Sequence, residues 1–386
     1  MRLEAPDEIV RRTIVDNGWL LDRTDATALR LDAYDERDGH IVEGVLRSDQ
    51  GDWYPIEAGV PCLLRGPLRP DSVDFQNRHA LPPAADRGEV DAAAEHVSTI
   101  DTFSDKWKRF RNYGMDPAHQ NFLFDWYCKK LGVADQNALA AFYRAKQMIL
   151  EVGAGSGFNS RFMAQQTAGH VVVADISQAA ETAYENTWDL PNCHVLRADL
   201  MDLPLPDAAF DLIMADGVLH HTPNTRHAVR ALYQKLAPGG QFFFYVYKQM
   251  GPARQFCDRH LRDEFTKLPI DQCYEACEAL TELGRELSAL DAKVHLKNPI
   301  PVLGIPAGTH NVQRLIYYSF VKCFWNDAFD FETNNMVNFD WYHPQYAWQH
   351  TEDEVCGWLA DFGVENFQIH PANPNGISVL LTKPVA

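Results

Sequence analysis

From Met148 onward, the hydrophobic positions fall into short apolar runs separated by segments of helical spacing. The runs have the length of buried strands, and the segments between them repeat their apolar residues every three or four positions. Strands are predicted at 148–152, 171–174, 210–214 and 241–247, and helices at 158–168, 177–188 and 224–236. This alternation predicts an α/β fold with a parallel sheet that has helices on both faces.

The rest of the chain has other patterns. Turn signals such as Asp38-Gly39 separate short apolar stretches near the N-terminus, which predicts strands there. Prolines and an Ala-rich acidic stretch at 84–95 are typical of a linker. We therefore expect a small β-rich domain at 1–66, a linker at 67–100, the α/β core at 101–250, a mostly helical insertion over the active site at 251–350, and a helix and two strands completing the core at 351–386.

Composition excludes several classes of protein. The 386 residues are 46% hydrophobic and 23% charged, as in soluble globular proteins and unlike disordered or coiled-coil chains. A formal net charge of −18 disfavours nucleic acid as a partner, because phosphate backbones are repelled. The longest apolar run, 242–247, is far below the ~20 residues that a membrane span needs. The acidic N-terminus is unlike a signal peptide, so we expect a cytoplasmic protein with no membrane partner. The oligomeric state has no signal in the sequence.

A glycine-rich turn lies directly after the first core strand and before the first helix. It reads Glu151-Val-Gly153-Ala-Gly155-Ser-Gly157. Glycines let the backbone approach a ligand closely, and a helix N-terminus offers free N–H groups. Asp175 follows Gly153 by 22 residues at the end of the next strand, where a carboxylate can accept both hydroxyls of a ribose. Together these residues predict a nucleoside site.

The identity of the nucleoside comes from a resemblance. The turn has GxGxG spacing and is followed by Arg197-Ala-Asp199-Leu200, by the stretch 210–221 and by Leu236-Ala-Pro-Gly-Gly240. This succession resembles the class I S-adenosylmethionine-dependent methyltransferases, especially the ubiquinone/menaquinone-methyltransferase-like group, across 148–248. The resemblance implies a Rossmann-like seven-stranded sheet and S-adenosylmethionine as the cofactor.

The same resemblance implies cofactor-binding roles for the matching residues, which are Glu151, Gly153, Ala154, Gly155, Asp175, Ile176, Asp199, Leu200, Asp216, Gly217 and Val218. The first four would line the methionine part, Asp175 would hold the ribose hydroxyls, and Ile176 would pack on the adenine. Asp199 would accept from the adenine amine beside a backbone contact from Leu200, and the last three would lie under the methionyl end. Structural alternatives are a solvated strand-end charge for Glu151, a turn for Asp199 and a helix N-cap for Asp216.

Candidate catalytic residues are His220, His221, Tyr317, Tyr342 and His343, and candidate substrate-binding residues are Arg314, Tyr318, Trp341 and Tyr346. A neutral imidazole can act as a base near pH 7, although a Val-Leu-His-His stretch is often found in the resembled group without a proven base. In the insertion, Arg314 lies one helical turn before two tyrosines, and the three could clamp a carboxylate or phosphate. The aromatic residues could wall the site or form an ordinary hydrophobic core.

The N-terminal unit has a resemblance of its own. Segments 38–46 and 53–64 are similar to the small zinc-ribbon-type domain that activates tRNA and release-factor methyltransferases. The zinc-binding cysteines of that family are missing here, and Cys62 is the only cysteine available as a ligand in this unit. We therefore expect no metal, and a domain stabilised by apolar packing. The segment 103–110 resembles one that precedes the core in bacterial methyltransferases with such a domain. It could fold over the cofactor or be a plain packing helix.

These observations predict an enzyme that transfers a methyl group from S-adenosylmethionine to a small, anionic, biosynthetic metabolite. In-line attack on the sulfonium methyl needs positioning and desolvation more than a strong base. Attack at the γ-carbon, which would release methylthioadenosine by aminocarboxypropyl transfer or cyclisation, is an alternative. A tRNA or protein methyltransferase and a non-catalytic partner module are others.

Overall fold

The protein is described here from a computed structural model, which covers residues 15, 17–23, 25–83, 93–370 and 374–385. Parts of two predicted segments, the start of the β-rich domain at 1–14 and the acidic stretch at 84–92, lie outside the described residues.

Strands and helices alternate through most of the described chain. The strands are β1 Arg30–Arg37, β2 His40–Arg47, β3 Trp53–Glu57, β4 Val60–Pro61, β5 Met148–Val152, β6 His170–Asp175, β7 Cys193–Arg197, β8 Phe210–Asp216, β9 Leu236–Lys248, β10 Lys293–Leu296, β11 Gly308–Asn311, β12 Gln349–His350, β13 Phe367–His370 and β14 Gly376–Thr382. The α-helices are α1 Val73–Arg78, α2 Ala94–Arg109, α3 Pro117–Leu131, α4 Gln136–Arg144, α5 Phe158–Gln166, α6 Ala179–Thr187, α7 Thr225–Lys235, α8 Pro252–Phe265, α9 Ile270–Ala289, α10 Val312–Ser319, α11 Phe331–Tyr342 and α12 Glu352–Asp361.

The central sheet has the order β13-β14-β9-β8-β5-β6-β7. Strands β5 to β9 are parallel, β14 is antiparallel to β9, and β13 is antiparallel to β14. The short β12 pairs with the end of β9. The chain runs outward from β5 to β7 and then returns to place β8 on the other side of β5. Ligands of open α/β sheets bind at such a switch point, beyond the carboxyl ends of the strands. The Rossmann-like seven-stranded prediction is confirmed.

Alternate residues of the parallel strands face opposite sides of the sheet, and both sides are buried. Leu150, Val172 and Phe244 belong to the hydrophobic core on one side, and Ile149 and Phe243 to the core on the other. All five are fully buried. Near-continuous apolar strands of this kind need helices on both faces, as the sequence predicts.

The N-terminal strands form one antiparallel sheet, β1-β2-β3-β4. Its predicted apolar residues are at most 9% exposed: Ile41, Val45, Trp53, Tyr54, Ile56 and Val60. Part of this set packs into the central core beside Leu196. The sheet also abuts the outer edge of β7, because the backbone N–H of Leu63 donates to the carbonyl of Arg197 at 2.8 Å. The unit is therefore fused to the edge of the core.

The segment predicted as a linker, 67–100, differs from that expectation wherever it is described. Helix α1 packs on the N-terminal sheet through Phe75, which is 1% exposed and stacks on Trp53 at 6.0 Å between ring centroids. The indole N–H of Trp53 donates to the carbonyl of Pro82 at 2.9 Å. Helix α2 already begins at Ala94. The proline-containing segment is therefore packed against the N-terminal sheet, because Phe75 and Trp53 bury each other.

The insertion is mostly helical, with an additional β10–β11 hairpin. Helix α11 buries three asparagines, Asn334, Asn335 and Asn338, completely. Their amides bond backbone groups of neighbouring segments and the Thr281 hydroxyl; for example, the N–H of Phe324 donates to Asn338 Oδ1 at 2.7 Å. These hydrogen bonds fix the irregular segment between α10 and α11 against the insertion core.

Candidate functional site

A cavity of about 530 Å³ lies beyond the carboxyl ends of β5, β6 and β8. Its floor is formed by residues that follow these strands, helix α2 covers it on one side, and the insertion closes the other. The cavity is therefore at the switch point of the sheet, where the sequence predicts the cofactor.

The glycine turn brings the backbone to this cavity. Gly153 and Gly155 have φ angles of +71° and +57°, a region that non-glycine residues rarely adopt. A Cβ on Gly155 would lie 2.6 Å from the Trp107 ring, and a Cβ on Gly153 would lie 2.6 Å from Val218. Of the turn, Gly153 lines the cavity and Ala154 and Gly155 do not. Two side chains, Trp107 of α2 and Val218 after β8, approach the backbone of this turn closely.

Glu151 is buried one step behind the turn. Its carboxylate accepts from Asn159 Nδ2 at 2.8 Å and from the Ser160 hydroxyl, and it does not line the cavity. Burial raises the pKa of Glu151 to about 7, against these two hydrogen bonds. In the structure this side chain orders the start of α5, so any contact with the methionine part of a cofactor would need rearrangement.

Asp175 and Ile176 line the cavity at the end of β6. Asp175 Oδ1 accepts from the Ser177 N–H at 2.9 Å and from its hydroxyl at 2.7 Å. Burial raises the pKa of this carboxyl, and the two bonds from Ser177 oppose that rise. The serine thus orients the carboxylate toward the cavity.

Asp199 and Leu200, which follow β7, line the same half of the cavity. Asp199 Oδ1 accepts from the N–H of Met201 at 2.9 Å, and burial raises the pKa of its carboxyl. His96 of α2 faces this end, and burial lowers its pKa. The two predicted nucleoside carboxylates, Asp175 and Asp199, therefore share one wall.

Asp216, Gly217 and Val218 line the middle of the cavity, at the end of β8. Asp216 forms a salt bridge with Lys130 of α3, whose ammonium is 3% exposed and lies 4.0 Å from the centroid of the Tyr245 ring. The Lys130 partner has no signal in the sequence, because it comes from a helix 86 residues away. Burial lowers its pKa, and the charge of Asp216 opposes that shift.

Helix α2 presents one face to the cavity. The residues on that face are His96, Thr99, Ile100, Phe103, Lys106 and Trp107, spaced by three or four positions as a single helical face requires. This spacing is visible in the sequence and indicates the whole face, whereas the family resemblance indicates only 103–110. The helix closes over the glycine turn through Trp107.

The insertion supplies the far half of the cavity. Of the predicted residues, Arg314, Tyr317, Tyr318 and Trp341 line it. The Tyr317 hydroxyl accepts from Asn375 Nδ2 at 2.7 Å, and burial raises its pKa. Two further charged residues, Lys322 and Asp340, line this half and are not predicted from the sequence.

Several candidate residues lie elsewhere. Tyr342 and His343 point into the insertion core and a neighbouring groove: the Tyr342 hydroxyl bonds Asp258 at 3.2 Å, and the two His343 ring nitrogens contact Thr102 and Leu268. Tyr346 does not line the cavity; its carbonyl accepts from His221 at 2.6 Å. We therefore correct the expectation that these three side chains face the acceptor: Tyr342 packs within the insertion, and His343 and Tyr346 contact Thr102 and His96 of helix α2.

The two adjacent histidines separate as expected for neighbours. His221 lines the cavity, whereas His220 is fully buried with its ring centroid 3.7 Å from that of Tyr247. Burial lowers the pKa of His221 to about 4 and places that of His220 well below its usual value. Both imidazoles are neutral at pH 7, and only His221 can reach a ligand.

No group of three or more His, Cys, Asp or Glu side chains in the described part of the chain could hold a metal ion. Nor does any helix there have the length and apolarity to cross a bilayer.

Residues 150–244 match the family described as a methyltransferase domain. A 27-O-demethylrifamycin SV methyltransferase of Amycolatopsis mediterranei is 38% identical over 104 residues, which are 25% of this chain and 38% of that protein. The ubiquinone/menaquinone biosynthesis C-methyltransferase of Vibrio parahaemolyticus is 32% identical over 106 residues, 25% of this chain and 40% of that one. The chain thus spans about two fifths of the length of these relatives.

Among solved structures, a SAM-dependent methyltransferase from Aquifex aeolicus is similar with a TM-score of 0.36 and 16% identity, covering 70% of this chain and 99% of that chain. A TM-score this low carries no argument, and the fold rests on the strand order. The family match coincides with strands β5 to β9 and the turn that lines the cavity.

Proposed function

We propose that this chain, whose residues 150–244 match a methyltransferase domain, transfers a methyl group from S-adenosylmethionine to a small anionic acceptor. The observation that carries the proposal is one continuous cavity with two chemically different halves. Carboxylates at strand ends line the half beside the glycine turn, and cations with aromatic rings line the half under the insertion.

In the first half, the residues suit a nucleoside with a charged tail. Asp175 accepts the ribose hydroxyls, and Asp199 accepts from the adenine amine. The methionyl part lies against the backbone of Gly153, which lines this half of the cavity. Helix α2 covers this half through Phe103 and Trp107 and excludes water from it.

In the second half, the acceptor is held for in-line attack. When bound, the sulfonium cofactor supplies a methyl carbon whose bond to sulfur breaks as the acceptor lone pair attacks, leaving a neutral thioether. Arg314 has no carboxylate partner among the described residues; its guanidinium donates to the Trp325 carbonyl at 3.4 Å. It is thus available to an anionic acceptor, and neutral His221 is placed to orient it or accept its proton.

We also propose a closer family relationship for both parts of the chain. The chain would belong near the ubiquinone/menaquinone-methyltransferase-like group, and its N-terminal sheet would derive from a zinc-ribbon-type activator domain. Apolar packing of Trp53 and Ile56 stabilises this sheet, and Cys62 is buried without a disulfide. The fused edge at β7 supports a structural use of the domain.

The test is calorimetric titration of S-adenosylmethionine into the purified protein, followed by mass spectrometry of the nucleoside after incubation with a metabolite extract. We expect binding and S-adenosylhomocysteine. Methylthioadenosine would overturn methyl transfer in favour of attack at the γ-carbon. Absence of binding at millimolar cofactor would overturn the enzyme proposal and favour a partner module. Methylated tRNA or protein with no methylated metabolite would overturn the acceptor class.

A further inference from the structure

Lys322 is a buried lysine at the insertion end of the cavity. The residue is 4% exposed, it lines the cavity, and its ammonium lies 4.2 Å from the centroid of the Trp341 ring. The Tyr342 hydroxyl bonds both the N–H and the carbonyl of Lys322 at 3.2 Å. These bonds hold the backbone of the irregular segment, so the position of Lys322 is built into the insertion.

The other lysines of the cavity have carboxylate partners. Lys106 donates to Asp340 at 2.6 Å, and Lys130 is bridged to Asp216. The Lys322 ammonium, in contrast, has neither a hydrogen bond nor an ion pair within the described residues. Arg314 shares this half and likewise has no ion pair there. A buried ammonium without a counter-ion is costly, so a ligand anion is the missing partner.

Charged and titratable groups surround Lys322 on every packed side. Asp340 and the Asp258 carboxylate attract its charge, whereas Arg254 and Lys106 repel it. Both carboxylates already bond a cation, since Asp258 accepts from Arg254 at 2.8 Å. The Cys277 thiol and the Tyr342 phenol also face this region. A hydrogen bond with Cys273, together with burial, raises the pKa of Cys277, and burial raises the pKa of Tyr342.

We propose that Lys322, with Arg314, is the anchor for a carboxylate or phosphate group of the acceptor, and that it binds this group as an ammonium. The Trp341 ring under the ammonium, with Tyr317 and Tyr318 beside it, suits an acceptor with a flat apolar body. This inference rests on the proposed methyl transfer and names the part of the chain that selects the acceptor.

Affinity for the anion should therefore depend on pH. Burial lowers the pKa of Lys322 to about 7. Below that pH the lysine is charged and ready for the anion; above it, binding must take up a proton from solvent. Each pH unit above 7 then weakens binding by up to roughly tenfold.

The experiment uses the full chain saturated with S-adenosylhomocysteine and follows para-fluorobenzoate by fluorine NMR. We expect its affinity to fall at least tenfold from about pH 6 to about pH 8.5. Lys322→Met should bind para-fluorobenzoate at least tenfold more weakly at low pH, and its affinity should not depend on pH. Lys322→Arg should still bind the probe, but its affinity should not depend on pH either. The exposed Lys267→Met is the matched control and should behave as wild type, because Lys267 lies on a surface turn beside Glu264.

Two further probes sharpen the result. Para-fluorophenyl phosphate is compared with para-fluorobenzoate. The probe with the higher affinity shows whether the anchor prefers a phosphate or a carboxylate. Neutral para-fluorobenzamide should bind more weakly than either anion at low pH. If it binds as tightly, or if Lys322→Met binds the anions as wild type does, the anchor is refuted. If Lys322→Met fails to fold, proton uptake by wild type above pH 7, measured in buffers of different ionisation enthalpy, decides the question. Failure of wild type to bind S-adenosylhomocysteine would instead refute the proposed function.

Discussion

Replacement of Asp175 by alanine should weaken binding of S-adenosylmethionine by about 2–3 kcal/mol, roughly 30- to 150-fold in Kd. The carboxylate is buried and faces the cavity, and its two oxygens can accept both ribose hydroxyls. Each charge-assisted hydrogen bond of this kind contributes about 1.5–3 kcal/mol. The two bonds share one carboxylate, and that carboxylate is already removed from water in the free protein. The expected loss is therefore less than twice the value of one such bond.

The assay is isothermal titration at neutral pH, with Tm measured for each variant. Ser177→Ala removes the hydroxyl that bonds Asp175 Oδ1 at 2.7 Å but leaves the carboxylate, so it should cost less than about fivefold. Asp207→Ala removes a surface carboxylate that pairs with Lys235 and should leave the Kd unchanged. Wild-type affinity in Asp175→Ala, with the fold intact, would refute the ribose assignment. A loss equal to that of Ser177→Ala would show that the carboxylate only orders its turn.

Other predictions concern stability. The pKa of Glu151, about 7 in the folded protein, exceeds that of an ordinary glutamate, so the folded state holds the extra proton between about pH 4.5 and 7 and stability should fall as pH rises through that window. Glu151→Gln should reduce this slope in denaturant titrations at several pH values, whereas the contributions of Asp175 and Asp199, whose pKa values burial also raises, should remain; an unchanged slope would contradict the assignment. Gly155→Ala should destabilise the fold by about 1–3 kcal/mol, because its Cβ would strike Trp107 at a positive φ; thermal melts that match wild type would contradict the contact. Asp258→Ala should cost about 3–5 kcal/mol, since it leaves fully buried Arg254 without its partner. A loss below about 1 kcal/mol in chemical unfolding would show that the pair is solvated.

Local patterns were sufficient to predict most strands of the central sheet, although β7 is not among them. The run 148–152 is the strand β5, and the turn after it sits at the switch point, because strand length, buried apolar residues and glycine placement all agree there. Asp175 could be located for the same reason, since it ends a predicted strand. Asp199 follows β7, which is not among the predicted strands, so its place came from the family resemblance alone.

The acceptor half could not be predicted in the same way. Lys322 stands in an ordinary stretch of sequence, and its burial arises only when α8, α11 and the segment around it pack together. Conversely, the aromatic density that suggested Tyr342 and His343 is largely the packing of the insertion itself. Local composition cannot distinguish rings that line a cavity from rings that fill a core, because both are apolar and buried.

The contact between the N-terminal sheet and β7 has a consequence for truncated forms of this chain. A sheet that ends in an uncovered strand exposes N–H and C=O groups that can pair with another molecule. Here Leu63 bonds the end of β7 and Cys62 pairs with Arg197, so the small domain shields that border. Removing residues before α2 would leave the border open beside the apolar side chains of the shared core. The excised core should then associate edge to edge, and in the full chain the N-terminal domain should limit this association.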